Sequence, residues 1–219
     1  MKNMRNIWLA MLLVAGSLSG VAQAALVLDT VAGMPNSSGP LVLDSSNFVA
    51  AKFSIGAGQS FINRIQAYVT SGNSGQSGDQ FTIAVYSANG NNGLPGDNVW
   101  YGNATYHADG WNGLTNLNAG GLAPGNYWVA FEVGSCFQLD GCLGADSSHN
   151  TSGLLLPTFS SNGAVPALGY AFNSGAGYQA MTSNFGVRVS AVPELDTAWM
   201  FGIGLLSVLF RARSKAGNA

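Results

Sequence analysis

Charged side chains are scarce in this chain: 8 Lys+Arg and 10 Asp+Glu among 219 residues, or 8%. A typical soluble domain carries about 25%, so Ser, Asn, Thr, Gln and 30 Gly must supply the solubility. A formal net charge of −2, with no Lys/Arg cluster away from the two ends, excludes a basic nucleic-acid binder. A hydrophobic content of 47% excludes a highly charged disordered chain. Cysteine is limited to Cys136 and Cys142, and histidine to His107 and His149, which leaves few groups for acid/base work. Neither a Gly-x-Ser-x-Gly elbow nor an Asp-x-Asp-x-Asp calcium loop occurs.

What the chain does have begins with its ends. Lys2 and Arg5 precede an apolar run from Ile7 to Ala15, followed by small residues up to Ala22-Gln23-Ala24. That is the layout of a secretory signal peptide over residues 1–24, with signal peptidase cutting between Ala24 and Ala25. The alternative, an uncleaved anchor, conflicts with an apolar core too short to span a bilayer. At the other end, an uninterrupted apolar run from Ala198 to Phe210 is followed at once by Arg211, Arg213 and Lys215. As a helix it covers roughly 21 Å against a hydrocarbon core of about 30 Å, so insertion is marginal and needs snorkelling of the basic flank. The positive-inside rule keeps that flank cytoplasmic and puts everything upstream outside. A buried helix of the domain is the competing reading, but the run lacks a 3.6-residue stripe.

The residues before that run carry a resemblance. Val192-Pro193-Glu194-Leu195-Asp196-Thr197-Ala198-Trp199, then the Gly-containing apolar run, then Arg211-Ala212-Arg213, resemble the PEP-CTERM sorting signal of Gram-negative bacteria. Leu195 stands where that family's motif has a second Pro. The resemblance covers about the last 28 residues. It implies sorting by exosortase, a membrane-embedded cysteine transpeptidase-like enzyme that processes the chain near Pro193, Glu194 and Leu195. Transient anchoring in the inner membrane and final placement on the outer surface or in the matrix are also implied.

Between the ends lies a body of residues 25–192. Its only cations are Lys52, Arg64 and Arg188, against seven Asp and Glu132. A weakly charged, slightly acidic, amide- and hydroxyl-rich surface suits a neutral exopolysaccharide or other exported matrix better than a nucleic acid. Alternation marks strands at Val49, Ala51, Phe53 and Ile55, at Phe81, Ile83 and Val85, and at Tyr127, Val129, Phe131 and Val133. Further segments are expected at 62–70, 153–159, 167–173 and 185–191, separated by Gly/Asn/Ser/Pro turns such as Pro95-Gly96-Asp97 and Pro124-Gly125. No helical stripe runs through this region. The expected fold is all-β, an antiparallel β-sandwich of jelly-roll type, flanked by the signal peptide and a single transmembrane helix over 198–210.

Several stretches also resemble the exported sandwich domains called choice-of-anchor: Ala51-Lys52-Phe53-Ser54-Ile55-Gly56 with Ile65-Gln66-Ala67-Tyr68-Val69, Phe81-Thr82-Ile83-Ala84-Val85-Tyr86-Ser87, Leu94-Pro95-Gly96, and Leu122-Ala123-Pro124-Gly125-Asn126-Tyr127-Trp128-Val129-Ala130. The resemblance implies an extracellular sandwich upstream of an anchoring tail and brings no catalytic residues.

Candidate chemistry is thin. In an oxidising compartment Cys136 and Cys142 are expected to form one disulfide across a short loop, contributing roughly 2–3 kcal/mol. Zinc would need two further ligands, with His149 the nearest. Asp97, Asp109, Asp140 and Asp146 sit in turns where calcium takes oxygen ligands, but Asp in turns usually serves its own backbone. Glu132, the only Glu in the body, shares a strand face with Trp128 and Ala130 and is expected to be solvated, which leaves glycosidase chemistry without its second carboxylate. Aromatics crowd residues 100–128, and Trp100, Tyr101, Trp111 and Trp128 are the candidate ligand surface, by stacking on sugar rings. Core packing is the rival explanation. The expectation is thus an exported, non-enzymatic surface or matrix protein with no cofactor, processed by signal peptidase and exosortase. A carbohydrate-binding module is the alternative, and a secreted hydrolase comes third.

Overall fold

The computed structural model describes residues 24–36, 39–44, 47–59, 61–72, 75–119, 121–133 and 153–192. Signal residue Ala22, the cysteine pair, His149, Asp140, Asp146 and the whole sorting tail (Pro193, Glu194, Leu195, Arg211, Arg213 and Lys215 included) lie outside them. Among the described residues the chain is all-β, and its only helical element is a 3-10 turn at Asn91–Gly93.

The described residues form twelve strands: β1 (Ala25–Asp29), β2 (Leu41–Leu43), β3 (Phe48–Ile55), β4 (Phe61–Val69), β5 (Gln80–Ser87), β6 (Asn98–Thr105), β7 (Gly110–Ala119), β8 (Gly125–Glu132), β9 (Leu154–Leu156), β10 (Gly169–Asn173), β11 (Tyr178–Met181) and β12 (Val187–Val192). One sheet has the order β1-β12-β4-β7, the other β11-β10-β3-β8-β5-β6, and β2 pairs with β9. Every pairing is antiparallel. Strand β8 returns to lie between β3 and β5, so the six-stranded sheet cannot close until residues about eighty apart in sequence have met.

The alternation decides which side of each strand is buried. Val49, Ala51, Phe53 and Ile55 of β3, Phe81, Ile83 and Val85 of β5, and Tyr127, Val129 and Phe131 of β8 point inward. There they share one core with Ile62, Ile65, Ala67 and Val69 of β4 and Val187 and Val189 of β12. The Phe131 and Phe185 rings meet edge to face at 6.3 Å. Since both sheets feed this core, the arrangement fits a β-sandwich. Each fully buried Phe, Leu or Ile contributes roughly 1.5–3 kcal/mol through the water it sheds.

Five strands were not expected. β2 and β11 are too short to show a period, and β1 reads as a continuation of the leader's apolar residues. β6 and β7 are edge strands interrupted by Gly102, Gly113 and several Asn, so their alternation is broken. Gly113 has a steric reason. A Cβ there would sit 2.2 Å from the Ile65 carbonyl oxygen, where β7 crosses close over β4.

Both ends of the folded body fall in one sheet. Ala25 pairs with Ala191, and Val192 pairs with Phe61.

Candidate functional site

The outer face of the six-stranded sheet holds the densest set of functional groups. Register aligns Tyr101, Ala84, Ala130, Ala50, Ala171 and Ala180 in one row across all six strands. Four of these alanines, Ala50, Ala84, Ala130 and Ala171, are fully buried although they face away from the main core. Methyl groups make a low floor, and larger side chains beside the row fold down onto it. Tyr86, Trp128, Tyr178 and Leu94 do so, and with Ala88 they form a second apolar cluster.

Glu132 lies at the centre of the polar part of this cluster. It is 1% exposed, and Oε1 accepts hydrogen bonds from the Tyr86 hydroxyl (2.8 Å) and the Tyr178 hydroxyl (2.9 Å). The two rings meet edge to face with centroids 5.9 Å apart. Burial, then the neighbouring Glu132 charge, pushes both phenols well above the ordinary tyrosine value. They stay protonated as donors. The expected solvated Glu132 is therefore corrected: it shares its face with Trp128 and Ala130, as the alternation requires, but that face is packed over. The covering tyrosines come from β5 and β11, which no local pattern around residue 132 announces.

Beside it, Trp128 is 3% exposed, so it is not part of a ligand surface. Its indole N–H donates to the Gly93 carbonyl at 3.0 Å, and the Lys52 ammonium donates to the same oxygen at 3.1 Å. That ammonium also stands 5.4 Å from the Trp128 ring centroid. Lys52 and Trp128 are cross-strand neighbours, so the 3-10 turn is clamped onto the sheet by one carbonyl serving two donors. Asn92 takes a left-handed φ of 57° in this turn, a conformation Asn tolerates better than most residues. The Glu132 carboxylate is shut from solvent, and both phenols are held as its donors. The chemistry here is that of a polar latch joining β5, β8 and β11.

The other candidate aromatics do not converge with Trp128. Trp100 pairs with Val85 and packs against the main core. Tyr101 is 41% exposed at the outer edge of the alanine row. Trp111 lies on the opposite side of the molecule, on the outer face of the four-stranded sheet beside Tyr68. The Arg188 guanidinium stacks 4.0 Å over the Trp111 ring, and its Nε is 3.0 Å from Asp29 Oδ1. The four rings thus occupy three surfaces rather than one stacking platform.

The turn carboxylates are taken up by neighbouring loop groups. Asp109 Oδ1 accepts from the Tyr106 hydroxyl at 2.6 Å and the Ser71 N–H at 2.8 Å, and these bonds hold its carboxyl below the usual carboxylate range. Asp97 accepts from the Asn89 amide at 2.5 Å. His107 is exposed in the β6–β7 turn, where Asn112 accepts from its backbone N–H. Among the described residues no three His, Cys, Asp or Glu side chains gather as a metal site. Of the predicted signal-cleavage residues, Ala24 is exposed and Ala25 opens β1.

No protein-family model matches this chain, and no curated protein matches it.

Proposed function

We propose that this protein is an exported structural component of the cell surface or extracellular matrix of a Gram-negative bacterium. In this reading its jelly-roll-type body is delivered by the signal peptide, and the C-terminal run from Ala198 to Phe210 spans the inner membrane until exosortase acts near Pro193 and Glu194. Exopolysaccharide is the partner, met by amide and hydroxyl groups.

One observation supports this most directly. Among the described residues the first strand starts at Ala25, the residue after the Ala-x-Ala site, and the last reaches Val192, the residue before the sorting motif. Among the described residues, both sheets between those points feed one shared core. A core gathered between those two points suits a chain cut at both ends. The sealed Glu132 latch and the hydrogen-bonded turn carboxylates Asp97 and Asp109 likewise suit a scaffold more than an enzyme.

The experiment is intact-mass analysis of the protein recovered from the cell surface, beside a chain lacking residues 193–219. The expected results are an N-terminus at Ala25, a C-terminus near Glu194, and loss of surface display in the truncated chain. Undiminished display of the truncated chain would overturn the reading.

A further inference from the structure

This inference deepens the reading just given, because it takes both terminal segments as membrane-inserted in the precursor. We propose that the end of the sandwich from which both segments leave is a docking surface for an anionic lipid bilayer, with the opposite end turned away from the membrane.

Cross-strand pairs define the two ends. Ala25 opposite Ala191, Val192 opposite Phe61, Ile62 opposite Ala119, Ile55 opposite Gly125, and Ser87 opposite Tyr127 lie at one end. Residues 56–59, 88–97 and 121–124 therefore cap it. Directly opposed residues on antiparallel strands lie about 5 Å apart, so the leader and the tail emerge side by side rather than from opposite poles. Two membrane segments can then hold the folded body at once, without pulling β1 from β12.

Charge is divided unequally between the ends. Among the capping residues of the terminal end the only charged side chain is Asp97, and the nearest cations in the adjoining strands are Lys52 and Arg64. The other end holds Asp29, Asp44, Asp79, Asp109 and Glu132, with Arg188 the lone cation, paired to Asp29. Strands β3, β5 and β8, each eight residues long, separate the two groups by about 26 Å at roughly 3.3 Å per residue. That is about three Debye lengths at physiological salt. With the terminal end down, an anionic leaflet meets a nearly uncharged cap while the carboxylates lie beyond its reach. Turned over, the exposed Asp109 and half-buried Asp44 would face the leaflet and be repelled.

The test places the photo-crosslinker p-benzoylphenylalanine singly at Ala57 or Ala123 in the terminal cap, or at Ala108 in the far turn, all three exposed. The full 219-residue precursor is inserted into phosphatidylethanolamine vesicles containing about one-third phosphatidylglycerol, floated and irradiated. Lipid adducts at Ala57 and Ala123 are expected to exceed those at Ala108 about tenfold. Floating protein with equal adducts at all three positions overturns the orientation and leaves the tether reading standing. Protein that fails to float overturns both. A second arm adds Gln59→Glu with Ala123→Asp. Adducts at Ala57 should fall about tenfold on anionic vesicles and hold steady on neutral phosphatidylcholine. An unchanged yield on anionic vesicles overturns the electrostatic basis.

Discussion

The outer faces of the two sheets are generated by the same strand alternation and end in opposite states. On the six-stranded sheet, Ala84, Ala130, Ala50 and Ala171 form a floor onto which Tyr86, Trp128 and Tyr178 lie down, closing over Glu132. On the four-stranded sheet, Arg188 and Trp111 stack on one another while the Arg188 side chain remains 38% exposed. The difference lies in side-chain height. A row of methyl groups leaves a shallow trench that aromatic rings fill, whereas in the row Asp29, Arg188, Gln66 the long Arg188 side chain stays partly in water while its Nε reaches the buried Asp29. A sheet face that reads as polar by alternation is therefore solvated or packed depending on the residues beside it.

Substitutions that strike the packed face should cost most, and Trp128→Ala leads them. Removing a ring that is 3% exposed and hydrogen-bonded to Gly93 should lower the unfolding free energy by about 3–5 kcal/mol in urea titration. A loss under about 1 kcal/mol would mean the outer face is no second core.

Next come the tyrosines of the latch. Tyr86→Phe or Tyr178→Phe deprives a buried carboxylate of one donor and should each cost about 1–3 kcal/mol. The same groups set an alkaline limit. Their folded-state values are raised above 10.0, so above that pH the unfolded chain releases protons the folded one retains. Stability from this source is full below pH 10 and declines as pH rises beyond it. Tyr170, pushed up by burial to about 12, adds in the same direction. Denaturant midpoints measured from pH 8 to 11 should fall at the top of the range, and less steeply in the Tyr178→Phe chain.

On the open face the effects shrink. Trp111→Ala loses a half-buried ring, its contact with Tyr68 and its stacking on Arg188, for about 1 kcal/mol by thermal melting. Asp29→Asn, which removes the charge from the ion pair with a partly exposed Arg188, should cost below about 1 kcal/mol and show little further change in high salt. Should Trp111→Ala prove as damaging as Trp128→Ala, the contrast between the faces fails.

Much of the scaffold was legible where alternation was clean. Val49 to Ile55, Phe81 to Val85 and Tyr127 to Phe131 fall in β3, β5 and β8 with the expected side inward. Strands β6 and β7 were not legible, because glycine and asparagine at an edge leave no period to read. The latch was half legible. Glu132 shares its face with Trp128, as spacing demands, but Tyr86 and Tyr178 lie 46 residues away on either side. Nothing near residue 132 signals their arrival.

By itself the sequence determined the strand-forming body, its scarcity of charge, and the side of each regular strand that turns inward, since a two-residue period and apolar free energy act locally. Tertiary structure alone decided that one outward face would be sealed by remote tyrosines, that the four candidate aromatics would scatter, and that the first and last strands would lie side by side. Those outcomes depend on which strands become neighbours, and neighbours in a sheet are chosen by the closure of the whole core rather than by any stretch of chain.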